Sequence, residues 1–328
     1  MTNALADSSK PALTALALEV LLTSIQMAAK DTNLYTFRRA DGAAMPGATP
    51  GSHISLMLPN GIERQYSLTN YGPSLTEYIV GVKLDPNSRG GSLFMHTHLR
   101  VGQPITIEPP RNNFPLVETA DHVVLFAGGI GVTPIYCMAK RLIELGRSWE
   151  LYYSARSRID AAFVKELESY PQVKLHFDQE KGGVMPIANI IAGLPKNSHM
   201  YCCGPTPMLA AFEAAAAASG FSAEQVHVEY FTPKFAAAAE GGYTVQLERS
   251  KKELKVPEGK SILQVVREAG VDVPFSCEEG ICGACETRVI SGTPDHRDSI
   301  LTESERKANA TMMICCSGSK SPRLVLDL

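Results

Sequence analysis

The sequence is short of everything that would place it on a membrane, on nucleic acid or outside the cell. Its net charge is only −3 over 328 residues, so it offers no basic face for nucleic acid or an anionic bilayer. It has no long apolar run. The most apolar N-terminal stretch, Leu13 to Ala29, contains Glu19 and Gln26 and is too short and too polar to cross a bilayer. Only Lys10 precedes that stretch and no small-residue cleavage site follows a clean apolar core, so it does not read as a signal peptide. It reads as the approach to the first strand or two of a folded domain, and a soluble, cytoplasmic protein is expected. Cysteine is scarce: 8 residues are too few for a secreted disulfide scaffold of this length. Their spacing instead favours a metal site in a reducing compartment. There are no internal repeats. What remains is an ordinary globular balance, 45% hydrophobic and 20% charged, long enough for two or three domains.

Three segments follow one another. To about Asn113 the pattern is β: alternation runs through His53–Leu58, Arg64–Asn70, Glu77–Leu84 and Pro104–Glu108. Turn residues separate these runs at Pro59-Asn60-Gly61, Tyr71-Gly72-Pro73, Asp85-Pro86-Asn87 and Gly90-Gly91. Short strands at this spacing predict an antiparallel barrel. From Phe114 to Phe231 strands and helices alternate. Strands are expected at Val123–Ala127, Glu150–Ser154, Lys174–Phe177, Met200–Cys203 and His227–Phe231. Helices are expected at Pro134–Leu145, Ala161–Ser169 and Pro207–Ser219. This rhythm predicts a parallel sheet covered on both faces. Ala236–Gly242 is small and uncommitted, a linker by composition. The last segment opens with a hairpin, Tyr243–Glu248 and Glu253–Val256 across Lys251-Lys252. A helix follows from a Ser261 cap to Ala269, stopped by Gly270. Thr302 and Glu305 have the spacing of a capping box, and Leu324–Leu326 suits a closing strand.

The cysteines carry the strongest signal. Four residues separate Cys277 from Cys282, two separate Cys282 from Cys285, and twenty-nine separate Cys285 from Cys315. This is the C-x₄-C-x₂-C…C spacing of a plant-type [2Fe–2S] site, in which each iron takes two thiolates and the bridging sulfides complete its tetrahedron. Gly280 and Gly283 permit positive φ in the wrapping loop, and Ala284 keeps it small, so backbone N–H groups can point at the sulfurs. The competing reading is a structural zinc site, but such sites usually pair two C-x₂-C units and only one exists here. Cys315 is preferred to Cys316 because alternation along Met312–Cys316 would send the two to opposite faces. Cys137 sits on an apolar helix and reads as core.

Leu125–Pro134 is a strand, a glycine-rich turn and a helix start. Thr133 suits the cap and Pro134 the first helical position. Free N–H groups there suit a pyrophosphate. The dehydrogenase fingerprint is not met, since its third glycine would fall at Pro134 and no acid stands near the end of the second strand. A second strand entering a capped helix, Tyr201-Cys202-Cys203-Gly204-Pro205-Thr206-Pro207-Met208, adds weight. Two such ends on one parallel sheet make a crevice.

Taken together, Arg-Gln-Tyr-Ser-Leu at 64–68, Gly-Gly-Ser at 90–92, Ala-Gly-Gly-Ile-Gly-Val-Thr-Pro at 127–134, Tyr-Cys-Cys-Gly-Pro at 201–205 and the cysteine set resemble the phthalate dioxygenase reductase family. The likeness runs from about Leu16 to Leu328 and includes the ending Leu-Val-Leu-Asp-Leu. It implies an FMN-binding β-barrel (12–113), an NAD-binding α/β domain (114–235), a linker (236–242) and a ferredoxin domain of β-grasp type (243–328). It implies that Arg64, Tyr66, Ser67, Gly90, Gly91 and Ser92, with Lys83 a weaker candidate, contact FMN. Gly128, Gly129, Gly131, Thr133, Pro134, Cys203, Gly204 and Pro205 would meet NADH, and Phe231 would stand by flavin and nicotinamide. Tyr230 departs from the smaller residue expected beside it. Alone, Arg64 and Lys83 would read as solvated charges, and Tyr66 and Phe231 as core. Arg156 and Arg158 follow the second strand, where an arginine would suit the 2′-phosphate of NADPH, while the resemblance favours NADH.

The activity so implied is electron transfer from NADH through FMN and the cluster to a Rieske-type, aromatic-ring terminal oxygenase. The cofactors do the redox work and no side-chain triad is required. Glu278, Glu279 and Glu286 flank the cluster loop and suit a basic partner patch, although the third segment, with 12 Lys/Arg against 13 Asp/Glu, has little net charge to steer with. The rivals are a flavin reductase serving another acceptor, and a non-enzymatic iron–sulfur sensor or zinc-stabilised binding module. A monomer is expected.

Overall fold

The structure, a computed structural model, describes residues Ala17–Leu328; the start of the apolar stretch, Leu13–Leu16, lies outside the described residues. Ala17–Phe231 forms one compact unit and Thr232–Leu328 another.

The first unit begins with β1 (Leu18–Ala29), β2 (Thr32–Arg39), β3 (Met45–Ala48), β4 (His53–Met57), β5 (Glu63–Ser67), β6 (Gly72–Leu75), β7 (Tyr78–Lys83), α1 (Gly91–Thr97) and β8 (Pro104–Ile107). Six of these strands form one antiparallel sheet in the order β5-β4-β8-β1-β2-β7. An antiparallel bridge between Leu68 and Val80 joins the β5 edge to the β7 edge, which is how an open sheet becomes a barrel. The expected alternation is what fills it: Tyr78, Val80 and Val82 point inward with Leu22, Tyr35, Phe37, Ile54 and Leu56. The Gly90-Gly91 pair, read as a turn, instead starts α1, with Gly90 at φ +91°.

The same unit continues with β9 (His122–Gly128), α2 (Val132–Glu144), β10 (Ser148–Ala155), α3 (Val164–Leu167), β11 (Val173–Phe177), α4 (Asp178–Lys181), α5 (Ile187–Ala192), β12 (Ser198–Cys203), α6 (Thr206–Ala218) and β13 (Val226–Glu229). The five strands lie parallel in the order β11-β10-β9-β12-β13. Val123 to Ala127 are 0% exposed because β9 is central and helices cover both faces. Val123, Leu125 and Ala127 face one core, Val124 and Phe126 the other. The helix expected over Ala161–Ser169 shrinks to α3, since Phe163 takes a left-handed φ of +60° and restarts the chain. The last strand stops at Glu229, two residues short of Phe231, while α4 and α5 carry no strong periodicity and were not anticipated.

The second unit holds β14 (Tyr243–Leu247), β15 (Lys252–Val256), α7 (Ile262–Glu268), β16 (Glu286–Ser291), β17 (Pro294–Asp295), α8 (Glu303–Ala308), β18 (Thr311–Met313), β19 (Gly318–Ser319) and β20 (Arg323–Leu326). Its main sheet runs β15-β14-β20-β16-β18, with β14 and β20 parallel at its heart. Helix α7 buries Ile262, Leu263 and Val266 in the same core as the sheet, the grasp expected. The capping box expected of Thr302 and Glu305 forms, and the Ser261 cap also closes into a box with Gln264, each cap typically stabilising its helix by about 1 kcal/mol. Gly270 ends α7 at φ +73°. Ala236–Gly242 is not a free tether. Ala238 donates to the Cys316 carbonyl, Gly259 donates to Ala239, and Gly242 donates to Val256. Among the described residues no helix is long and apolar enough to cross a membrane.

Candidate functional site

The chain between α7 and β16 has no regular structure, and it carries three of the four spaced cysteines. Gly280 and Gly283 take φ of +69° and +74°, and Glu278, a residue with a Cβ, is also left-handed at +55°. The loop therefore turns three times in six residues and brings its thiols inward. They meet in two pairs: Cys277 shares a hydrogen bond with Cys282, and Cys285 with Cys315. Two thiol pairs are what a pair of bridged irons would take, two sulfurs to each. Backbone donors converge on the sulfurs. Glu279 N–H reaches Cys277 Sγ at 3.3 Å and Ala284 N–H reaches Cys282 Sγ at 3.4 Å. Gly280 N–H bonds Cys315, and Cys315 N–H bonds Cys285. The shared hydrogen with Cys282, then burial, push the Cys277 thiol well above its usual range; the bond to Cys315, then burial, do the same to Cys285. A cationic centre is what would hold such thiols as thiolates. Cys277 is the most open of the four; Cys282, Cys285 and Cys315 are buried.

Strand alternation does not separate Cys315 from Cys316. Strand β18 stops at Met313, and Ile314–Cys316 form a turn, so strand alternation cannot sort the two side chains. The turn itself places them. Cys315 reaches Cys285, although it also hydrogen-bonds Cys316. Cys316 Sγ lies beneath the cysteine loop, 2.4 Å from where a Cβ on Gly280 would stand. Of the flanking acids, Glu278 and Glu286 are exposed and Glu279 is half-buried.

In the first unit the strand order reverses at β9, and the crevice at its carboxyl end is where parallel sheets bind ligands. The glycines there divide by what they face. A Cβ on Gly131 would stand 2.2 Å from the Cys203 carbonyl oxygen, and one on Gly128 2.7 Å from Pro205 Cδ. A Cβ on Gly204 would meet Gly128 Cα at 3.1 Å. These three residues let the two strand-to-helix turns pack on each other. Only Gly129, at φ +53°, faces open space. Thr133 is not the cap of α2. Gly129–Gly131 form a 3₁₀ turn, Gly131 is the cap, and the Thr133 hydroxyl donates to the Ile130 carbonyl inside the first helical turn. Thr133 and Pro134 are both buried. Helix α6 likewise has no side-chain cap; Pro205 precedes it.

The barrel residues gather at β5. Arg64 donates to the Arg89 carbonyl at 3.1 Å, and Gly91 is bare because a Cβ would strike the Arg64 side chain at 2.7 Å. Tyr66 is half-buried, and burial raises its phenol far above the ordinary value. The Ser92 hydroxyl accepts from Asp85 N–H and donates to Ser88, stiffening the loop before α1. Lys83 is exposed, and its amine has no partner among the described residues. Ser67 leads to a residue the sequence did not single out. Glu229, at the end of β13, hydrogen-bonds Ser67 and accepts from Cys203 Sγ at 3.8 Å. Burial lifts its carboxyl from 4.5 to about 8, against the lowering effect of those two bonds. The carboxyl thus bridges a barrel strand and two parallel strands, and burial favours its protonated form. The only clue in the sequence is an acid inside an otherwise apolar strand end. Phe231, two residues on, is 38% exposed. Arg158 is committed elsewhere: it pairs with Glu168 at 2.7 Å and lies 5.2 Å over the Phe177 ring. Arg156 is exposed.

Comparison with known proteins covers most of the chain. Residues 245–319 match the family model of the 2Fe-2S iron-sulfur cluster binding domain. The chain is 46% identical over 306 residues to the phenoxybenzoate dioxygenase subunit beta of Ectopseudomonas oleovorans, covering 93% of this chain and 95% of that one. It is also 46% identical to the tetrachlorobenzoquinone reductase of Sphingobium chlorophenolicum, covering 95% and 98%. Among solved structures, phthalate dioxygenase reductase superposes with a TM-score of 0.70 at 36% identity, over 95% of this chain and 98% of that one.

Proposed function

Since the chain belongs to the phthalate dioxygenase reductase family, we propose that it is the reductase component of a Rieske-type, aromatic-ring oxygenase system. It is an oxidoreductase that uses NADH, FMN and a [2Fe–2S] cluster. The observation that carries the residue assignment is the meeting of Cys277 with Cys282 and of Cys285 with Cys315, under converging N–H groups. We read these four as the ligands, two to an iron, and the 12–113, 114–235 and 243–328 segments as the flavin, nucleotide and ferredoxin domains. Once bound, FMN supplies the conversion of a hydride pair into single electrons and the cluster their exit.

The chain's own residues bind, orient and shield. Arg64, backed by the Arg89 carbonyl, with Gly90–Ser92 and Tyr66, forms the FMN cradle. Gly129, the one glycine of the turn facing open space, leaves room for the NADH pyrophosphate, while Gly128, Gly131, Gly204 and Pro205 shape the crevice. Ser67, Cys203 and Glu229 hold a proton where the two cofactors would meet, and the open ring of Phe231 stands ready to cover them. With Arg158 held by Glu168, NADH is preferred to NADPH. The exposed edge at Cys277, bordered by Glu278 and Glu279, is the exit toward the oxygenase. We place the protein in the cytoplasm as a monomer, which size-exclusion chromatography with light scattering tests.

The test is an anaerobic NADH titration of the purified protein with iron and flavin quantified. Joint bleaching of flavin and cluster, with two irons and one FMN per chain, is expected. A colourless zinc protein, or flavin bleaching without iron after reconstitution, refutes the reading. The relative that reduces tetrachlorobenzoquinone favours a second reading, in which electrons pass to a small quinone. Quinone reduction that survives Cys282→Ser at full rate would support that reading, since it would then bypass the cluster.

A further inference from the structure

Beneath the cysteine loop lies a polar node that electron transfer, as described so far, does not use. Asp298 is 0% exposed. Its Oδ1 accepts the N–H groups of Ile300 at 3.0 Å and Leu301 at 2.7 Å. Arg306, on α8, donates to the Asp298 carbonyl at 2.6 Å, and its guanidinium nitrogen is 3.9 Å from Oδ1. The Phe235 ring covers Arg306 from 5.3 Å. On the other side His296 presents Nδ1 to Asp298 Oδ2 at 3.9 Å, while its Nε2 bonds Asn309. Asp298 Oδ2, His296 Nδ1 and Arg306 Nε are all buried without a hydrogen-bond partner among the described residues. Burying a charge so incompletely paired is costly.

What the node does is grip the loop. By accepting the two N–H groups, Asp298 folds residues 298–301 into a turn. That turn aims Ser299 N–H at the Gly280 carbonyl, 2.8 Å away. The Ser299 hydroxyl is itself fixed by Lys234 N–H at 3.0 Å. Gly280 is the residue whose N–H bonds Cys315 Sγ. It is pressed on its Cβ side by Asp298 Cα, at 3.0 Å from an added Cβ, as well as by Cys316. The chain of contacts therefore runs from Asp298 through Ser299 and Gly280 to the sulfur of Cys315. We propose that Asp298 is a positioning residue for electron transfer, which holds the Gly280 N–H on the Cys315 sulfur and thereby raises the cluster's reduction potential. This rests on the reading of Cys315 as a ligand. An N–H dipole directed at a ligand sulfur favours the added electron, so losing it lowers the potential.

The sign of the effect separates position from charge. Removing a buried anion near the cluster would by itself raise the potential, because an added electron is then repelled less. The experiment compares wild-type holoprotein with Asp298→Asn and Asp298→Ala by dye-equilibrated spectroelectrochemistry, with iron content and visible spectrum recorded for each. Asparagine keeps an oxygen for the two N–H groups, so its potential is expected at or above wild type. Alanine loses the anchor, and its reduced-to-oxidised ratio at fixed solution potential is expected to fall about tenfold, or ~59 mV for one electron. An alanine variant with two irons and a potential equal to or above wild type overturns the proposal. If the alanine variant cannot hold iron, Asp298→Ser is read in its place. Its hydroxyl is shorter and a weaker acceptor for the two N–H groups than the amide oxygen, and a potential no lower than that of Asp298→Asn overturns the proposal equally. Failure of the ligand reading looks different: Cys315→Ser would then keep a wild-type cluster spectrum.

Discussion

Replacing Glu229 by glutamine should change how stability depends on pH, and in a direction opposite to that of most carboxylates. Burial raises the Glu229 carboxyl from 4.5 to about 8. The folded protein thus keeps this proton in a range where the unfolded chain releases it. The stability that Glu229 lends is complete below about pH 4.5 and is lost as the pH climbs through about 8. At ~1.4 kcal/mol per pKa unit, the loss is roughly 3 kcal/mol by pH 7 and roughly 5 kcal/mol above pH 8, both upper bounds for a half-buried group. Glutamine has nearly the same shape, keeps an acceptor for Cys203 and has no proton to lose. The gap in stability between variant and wild type should therefore widen by a few kcal/mol between pH 5 and 8. Trp149, the chain's one tryptophan, lies buried in β10 of the same sheet and reports on this unit. Urea unfolding followed by its fluorescence at several pH values gives both profiles. Profiles that stay parallel from pH 5 to 8 would mean that Glu229 ionises normally, and the proton placed between Ser67 and Cys203 would have to be abandoned.

Gly131→Ala should cost more stability than Gly129→Ala, although they sit in one turn. The first meets a backbone carbonyl at 2.2 Å and overpacks by about 1–3 kcal/mol or more. The second meets nothing and carries only left-handed strain of about 1–2 kcal/mol. The same fluorescence assay ranks them, and the reverse order would contradict the packing described. Gly280→Ala should lower iron content, because its Cβ collides with Cys316 Sγ, and Cys316→Ala in the same chain should restore part of it. No recovery would show that Cys316 is not the obstacle. NADPH should turn over with a kcat/KM below that of NADH, since Arg158 is held by Glu168; parity or better in steady-state kinetics would refute this.

Much of the fold was legible because its signals are local. Alternation in Glu77–Leu84, the Ser261 cap, the capping box at Thr302 and the stop at Gly270 each depend on a few neighbouring residues and survive into the structure. What could not be read depends on residues far apart in the chain. Nothing near Thr133 says that three preceding residues will form a 3₁₀ turn and move the cap to Gly131, because that turn is shaped by Cys203 and Gly204 packing against it. The same holds for the glycines. Their spacing suggests room for a phosphate, yet Gly128 and Gly131 are bare to admit another loop, and only Gly129 faces open space.

The sites follow the same rule one level up. The cysteine spacing is local and names the loop, but the choice between Cys315 and Cys316 is made by a turn after β18 that alternation does not foresee. Glu229 and Asp298 were missed for a shared reason. Each is an acid whose meaning lies in what it is buried against: Ser67 and Cys203 for one, the Ser299 turn and Gly280 for the other. In sequence each reads as a charge for the surface. An acid held away from water must be protonated, paired or anchoring something, and these two divide those roles. Burial favours the protonated form of Glu229 beside Ser67 and Cys203, and Asp298, beside Arg306, anchors the turn that meets Gly280. Neither role can be read from the residue type alone, because each is set by the groups that the fold brings to the carboxyl.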